Sequence, residues 1–264
     1  MSTPPREWLD VKTRDGVTTL TLVNPPLNLV TLGLTRALNA KLDELAADPA
    51  CRVLVVTGSG EKAFCAGSDI KEFRDYMQPG IAIEKKMWME NATYSKLDDF
   101  PKPTIAAVNG LAFGGGLEMA VCCDLVICEE GTKLALPEIK LGVFPGSGGT
   151  IRVTRRIGEG RAKEMIFLGE PIDTQTALAW GLINRIAPKG QTLATAQALA
   201  AEIATRPNKA LQIAKASIDM ALDMTEDEAI AQSLPLSDKA FSSNDCKEGV
   251  RAFFAKEKPR FSHS

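Results

Sequence analysis

The chain has 264 residues, which against a typical domain of about 150 allows one large domain or one domain with an appendage. Apolar residues make up 45% and charged residues 24%, and 31 basic side chains nearly balance 33 acidic ones for a net charge of −2. This is an ordinary soluble composition, with no basic field to steer nucleic acid and no polybasic membrane anchor. The only histidine is His263, second from the C-terminus. Chain ends are commonly frayed, so Ser-His-Asp, Cys-His and most metal-dependent hydrolytic mechanisms are excluded. Acid–base chemistry falls to Asp, Glu, Lys, Tyr or Cys.

In chain order, Leu9 to Lys12 and Val17 to Val23 flank Arg14-Asp15-Gly16 and read as a hairpin. NPPLNLVT at 24–31 is a loop, after which Leu34, Leu38, Leu42 and Leu45 recur at helical spacing. Arg52 to Thr57 is a buried strand by its β-branched run, followed by a glycine-containing loop and helical stretches near 71–76 and 81–97. Pro101 and Pro103 precede a strand over Thr104 to Val108; Gly114-Gly115-Gly116, a short helix and a strand over Asp124 to Cys128 come next. Beyond the glycine loop at 145–150 the pattern turns helical, and from about residue 190 no strand signal remains. These features predict an α/β core with a C-terminal helical extension. Six cysteines lack CxxC spacing and histidine partners, so they read as reduced core residues of a cytoplasmic protein. MSTPPREWLD has no apolar signal core, and the most apolar stretch, 110–128, is broken by Glu118 and Asp124, so no signal peptide or membrane span is expected.

Several segments carry chemistry, each with a plainer reading beside it. Gly58-Ser59-Gly60-Glu61-Lys62-Ala63 fits a dinucleotide fingerprint formally, but Gly67 interrupts the helix that should open there and no acid-ended second strand follows. The 145–150 loop has no lysine after its glycines and is not a P-loop. Gly114-Gly115-Gly116 leaves amides at a helix start free of any Cβ, which suits negative charge. Glu118, three residues after Gly115, would then stand beside whatever those amides hold. The plainer reading is a tight turn, with Glu118 complementing the helix dipole. In Ala66-Gly67-Ser68-Asp69-Ile70-Lys71, Ser68 or Asp69 caps a helix, or the amides face a ligand oxygen. Glu138 is a lone acid in the apolar run before the 145–150 loop, either a solvated strand end or a buried functional group. Tyr76, Met77, Met87, Trp88 and Met89 line an acyl pocket or, for most of them, pack as core.

Taken together, KAFCAGSDIKEF (62–73), PKPTIAAVNGLAFGGGLEMAVCCDLVIC (101–128), LPEIKLGVFPGSGGT (136–150) and KEGVRAFFAKEKPRF (247–261) resemble the crotonase superfamily, specifically the enoyl-CoA hydratases. The resemblance spans nearly the whole chain. It implies a spiral of ββα units with a helical C-terminal region: a core over 1–190 holding the CoA-thioester site and an oligomerisation region over 191–264, assembled as trimers that often pair into hexamers. It further implies that the amides of Ser68 and Gly115 form an oxyanion hole. Glu118 and Glu138 match the two catalytic glutamates, with Glu118 as base toward water and Glu138 as acid toward the α-carbon. Gly146 matches a glycine that positions the water. Ala66, Ile70 and Lys71 match CoA contacts, while Phe253 and Lys256 match residues reaching the CoA of a neighbouring subunit. Coenzyme A is part of the substrate, so no separate cofactor and no metal are expected. Leu27 stands where a lysine near the adenine is often found, which removes one expected contact. Two glutamates favour a hydratase over a Δ3,Δ2-enoyl-CoA isomerase, which generally uses one carboxylate; a catalytically silent CoA-ester-binding protein of the same fold is a further alternative.

Overall fold

The computed structural model describes residues 6–263. β1 (Leu9–Arg14) and β2 (Val17–Leu22) form the expected hairpin, with Leu9 opposite Leu22 and Arg14 opposite Val17. Asp15 (φ 52°) and Gly16 (φ 86°) make its two-residue loop, and two positive φ angles there match the strand twist. Helix α1 (Leu32–Ala47) starts where Thr31 accepts the Leu34 amide, and it buries Leu34, Leu38, Leu42 and Leu45.

Three successive turns of chain repeat one plan. A long strand is followed after a short loop by a three-residue strand, and then by helical structure. The pairs are β3 (Val53–Gly58) with β4 (Ala63–Cys65), β5 (Thr104–Val108) with β6 (Leu111–Phe113), and β7 (Leu125–Glu129) with β8 (Lys133–Ala135). The long strands join β1 and β2 in a six-stranded sheet ordered β1-β2-β3-β5-β7-β10, where β10 is Arg185–Ala187, and all pairs beyond the hairpin are parallel. The short strands form a second sheet, β4-β6-β8-β9, where β9 (Ile172–Asp173) is antiparallel to β8.

The long strands read as unbroken apolar runs because both faces are covered. Val53, Val55, Ile105, Ala107 and Ile127 pack with Ala196, Ala200 and Ala204 of helix α7 (Thr192–Ala204). Leu54, Val56, Ala106, Val108 and Val126 belong to the core shared with α1. The first turn is completed by a 3-10 turn (Ile70–Asp75), a π turn (Ile83–Met87) and helix α2 (Trp88–Asp98); the second by α3 (Gly115–Ala120). The third continues through a 3-10 turn (Glu138–Leu141) into α4 (Gly149–Ile157), α5 (Glu159–Leu168) and α6 (Thr174–Trp180). After α7 the described residues hold only helices: α8 (Asn208–Asp219), α9 (Glu226–Phe241), α10 (Asn244–Ala255) and a short 3-10 turn. This is the expected spiral of ββα units with a helical C-terminal region.

The fingerprint-like segment is followed by strand β4 and not by a helix. Asn109 secures that loop, accepting the Gly58 amide at 3.1 Å and donating to the Gly58 and Gly60 carbonyls at 2.9 and 2.7 Å. All six cysteines are unpaired, and five are buried. No described helix is long and apolar enough to cross a membrane.

The C-terminus corrects one expectation, since its end is fastened and not frayed. Buried Asp245 accepts both the amide of Ser262, at 2.6 Å, and its hydroxyl, at 2.9 Å, and the His263 ring meets Arg52. Arg52 precedes β3, at the opposite end of that strand from the loops that build the cavity described below. Deleting residues 262–264 is therefore expected to leave turnover close to the parent. Loss of the Asp245 partners should still lower the melting temperature by roughly 3–10 °C. Steady-state assays beside thermal unfolding test this, and a large fall in kcat would contradict the remote placement of His263.

Candidate active site

The parallel strands β4, β6 and β8 are neighbours, so the segments leaving their C-terminal ends meet at one place. Ser68, Gly115 and Glu138 lie just beyond those three ends. The loops approach with no side chain between them. A Cβ on Gly67 would lie 2.9 Å from the Phe113 carbonyl oxygen and 3.7 Å from the Gly114 Cα, and one on Gly116 only 2.0 Å from the Cys65 carbonyl oxygen.

This approach exposes two amides. Val30 and Ser68 form an isolated parallel bridge in which the Val30 amide donates to Gly67 and the Asp69 amide to Val30, leaving the Ser68 amide out of the pairing. Gly115 is the first residue of α3, and a first-turn amide has no intrahelical acceptor. Among the described residues neither amide meets a protein acceptor, and both residues line a cavity of about 700 Å³. The capping reading of 66–71 holds as well: Asp69 accepts the Lys71 amide at 3.0 Å.

Glu118 projects from α3 into the same cavity and is buried. Its Oε1 accepts the amides of Ser147 and Gly149, each at 2.8 Å. A Cβ on Gly149 would lie 2.8 Å from Glu118 Oε1, so the glycine loop wraps the carboxylate only because it has no side chain there. Burial raises the Glu118 carboxyl to about 8, the charge of Glu138 adds to the rise, and the two amides oppose it. Glu138 opens a 3-10 turn and presents Oε1 above Gly114, 2.9 Å from where a Cβ would be. Its Oε2 is buried and meets no hydrogen-bond partner among the described residues. Burial raises this carboxyl to about 7, with the Glu90 charge adding to the effect. The solvated strand-end reading of Glu138 is thereby corrected.

Of the other expected residues, Ala66, Ile70 and Gly146 line the cavity. Lys71 is exposed and outside the lining, as are Phe253 and Lys256 on and after α10. The packing expectation for the 74–100 segment needs correction: Tyr76, Met77 and Met87 line the cavity, and Trp88 is 70% exposed. Tyr76, Met77 and Met87 lie in the turns before α2 and Trp88 at its first position, while further along the helix Tyr94 and Leu97 are buried in the core.

Sequence reasoning missed the residues that hold the site. Tyr94 donates its hydroxyl to the Gly115 carbonyl at 2.8 Å, and Asn91 donates to the Gly146 carbonyl at 3.1 Å. Arg152 pairs with Asp98 at 2.9 Å while reaching the Ser147 carbonyl at 3.3 Å, tying the glycine loop to α2. Lys86 and Glu90 are buried, paired at 2.9 Å, and line the cavity. Only their i,i+4 spacing was visible in advance. Among the described residues no group of three or more His, Cys, Asp or Glu side chains is placed to hold a metal ion.

Spiral ββα turns, two unpaired amides at neighbouring strand ends and carboxyl groups beside them define a protein of the crotonase superfamily. The sequence profile of the enoyl-CoA hydratase/isomerase family matches residues 12–264. A probable enoyl-CoA hydratase of Rhizobium meliloti is 38% identical, covering 97% of this chain and 98% of that protein. The mitochondrial enoyl-CoA hydratase of Pongo abelii is 39% identical, covering 89% of this chain and 79% of its own. The crystal structure of an enoyl-CoA hydratase from Bacillus anthracis superposes with a TM-score of 0.93 at 32% identity, covering 98% of this chain and 100% of that one. The chain belongs to the enoyl-CoA hydratase/isomerase family.

Proposed function

We propose that this protein hydrates a 2-enoyl-CoA thioester to the 3-hydroxyacyl-CoA. The observation that carries the reading is the second carboxyl: Glu118 and Glu138 face one cavity beside the Ser68 and Gly115 amides. Water adds at the β-carbon only as negative charge moves onto the thioester oxygen. Main-chain donors stabilise that charge without titrating, and one such donor is commonly worth about 10²–10³ in rate. The two carboxyls share a site, so their protons leave in linked steps, and between those steps the pair holds one proton. The amides of Ser147 and Gly149 on Glu118 Oε1 favour the charge there. Hydration uses the one-proton form in which Glu118 is ionised and Glu138 protonated. With Glu118 at about 8 and Glu138 at about 7, that form is the less populated of the two and is reached by passing one proton from Glu118 to Glu138. In it Glu118 takes the proton of a water held near Gly146, while Glu138 gives its proton to the α-carbon. The reverse reaction exchanges these roles. The mechanism uses no cofactor apart from the coenzyme A of the substrate and no metal.

Crotonyl-CoA is the test substrate. Loss of absorbance at the conjugated thioester indicates hydration; turnover of a 3-enoyl-CoA alone would indicate isomerisation. If crotonyl-CoA and longer enoyl-CoA thioesters are all inert, the enzyme reading fails. The pH profile of kcat/KM is expected to be bell-shaped. It should rise as the pair loses its first proton near pH 7 and fall as the second leaves near pH 8. In Glu138→Gln the bell should lose its alkaline limb, since the second proton of the pair is gone. The residual activity should rise once as Glu118 ionises, below about 8 because the neighbouring charge that raises it is absent. A profile that stays bell-shaped would detach its alkaline limb from Glu138.

Exposed apolar side chains on the C-terminal helices, among them Ile218, Leu222, Ile230, Leu234, Phe241 and Phe253, support the reading of 191–264 as an oligomerisation region. The same exposure suits Phe253 and Lys256 for the CoA of a neighbouring subunit in a homotrimer or hexamer. Lys71 is read as a CoA-phosphate contact at the cavity mouth. Unpaired cysteines support a reducing, cytoplasmic setting.

A further inference from the structure

Four charged side chains line the cavity: Glu118, Glu138, Lys86 and Glu90. The first two have roles in the proposed reaction; the second two do not. Lys86 and Glu90 sit one helical turn apart, are 6% and 2% exposed, and pair at 2.9 Å. A pocket for plain hydrocarbon has no use for them, because a buried ion pair is commonly no more stable than apolar side chains of similar volume. The pair is also incompletely used. An ammonium carries three donors, and the only acceptor Lys86 meets among the described residues is Glu90. Glu90 Oε1 accepts the Ser147 hydroxyl at 2.6 Å, while Oε2, the oxygen facing Lys86, has no further partner. Spare donors on Lys86 and the second lone pair of Glu90 Oε1 thus lie side by side at the cavity wall, while Oε2 is enclosed by protein.

Their charges decide which group they suit. An acyl carboxylate would find Lys86 already neutralised and three carboxyl groups around it, and an ammonium would give Lys86 no acceptor. A hydroxyl both accepts from Lys86 and donates to Glu90. The position suits an acyl chain entering past the oxyanion loop, since Glu90 Oε1 lies 3.5 Å from where a Cβ on Gly115 would be.

Resting on the hydratase reading, we propose that Lys86 and Glu90 are specificity-determining residues that recognise a neutral hydroxyl carried by the acyl chain, so that the preferred substrates are hydroxylated enoyl-CoA thioesters. Sites built to hydrogen-bond a substrate hydroxyl reject the analogue lacking it strongly. Self-pairing of Lys86 and Glu90 softens that penalty here.

The test compares 4-hydroxybut-2-enoyl-CoA, 5-hydroxypent-2-enoyl-CoA and 6-hydroxyhex-2-enoyl-CoA, each with its unhydroxylated parent. At least one hydroxylated member should exceed its parent in kcat/KM by about tenfold or more. In the double variant Lys86→Met/Glu90→Leu, which leaves no lone charge, that ratio should fall to about one or below; Glu90→Gln should reduce it while conserving shape. Hydration of crotonyl-CoA and the other parents with no hydroxyl preference at any length overturns this inference and leaves the hydratase reading standing. So does a uniform loss of rate in the variants with an unchanged ratio, which would make the pair a mere support for Ser147. If no thioester is hydrated, the hydratase reading fails and the inference with it. The ratio in the unaltered protein is decisive even if the double variant does not fold.

Discussion

Glu118→Gln is expected to lower kcat by about 10³–10⁴ with little change in KM, the range of a positioned acid–base group whose work is done in the transition state. The substitution is conservative in every other respect. A glutamine Oε1 still accepts the Ser147 and Gly149 amides that hold Glu118 at 2.8 Å, so the loop and the cavity keep their form. Stability separates loss of chemistry from loss of fold. Glu118 titrates near 8 in the folded chain and near 4.3 when unfolded. The folded state therefore binds this proton more tightly, and stability falls as pH rises from about 4 toward 8. Glutamine removes that loss. The variant should melt several degrees above the parent at pH 8 and at the same temperature near pH 4. An inactive protein that is more stable at alkaline pH is the expected pair of results; a variant within tenfold of parental kcat would remove Glu118 from the reaction.

The parts legible in advance are those with a strong local signal. Leu34, Leu38, Leu42 and Leu45 mark α1 by period alone, and Asp15-Gly16 marks the hairpin loop. The strands β4, β6 and β8 carry no signal of their own in the sequence, because three residues are too few to display a period of two. Yet those strands bring Ser68, Gly115 and Glu138 together. The functional residues were therefore recognisable by resemblance before their convergence had any visible structural cause. Lys86 and Glu90 were hidden for another reason. A charged pair at i,i+4 is usually a solvated face, and only the tertiary placement of the π turn and α2 turns Lys86 and Glu90 toward the cavity. The tail misled in the opposite sense: nothing local to Ser262 or His263 announces Asp245 as a buried acceptor.

Gly114→Ala is expected to cost at least about 10³ in kcat through two effects with one origin. Gly114 has φ 51° and ψ −126°, a conformation that side chains rarely adopt and that costs roughly 1–3 kcal/mol when imposed on one. The new Cβ would also lie 2.9 Å from Glu138 Oε1. If the backbone turns to relieve the strain, it carries the Gly115 amide away from the oxyanion position. If it does not, the carboxyl that protonates the α-carbon must move. Each outcome removes one of the groups the reaction needs. Gly131→Ala separates strain from site damage, because Gly131 also has positive φ (79°) but meets nothing within 4 Å. That variant should lose comparable stability and keep near-parental turnover. Single-turnover hydration of crotonyl-CoA by the two variants reads the chemical step directly. Equal rates would show that the close approach of Gly114 to Glu138 is incidental. A rate loss confined to Gly114→Ala would place the requirement for glycine at the meeting of the two loops and not in backbone strain as such.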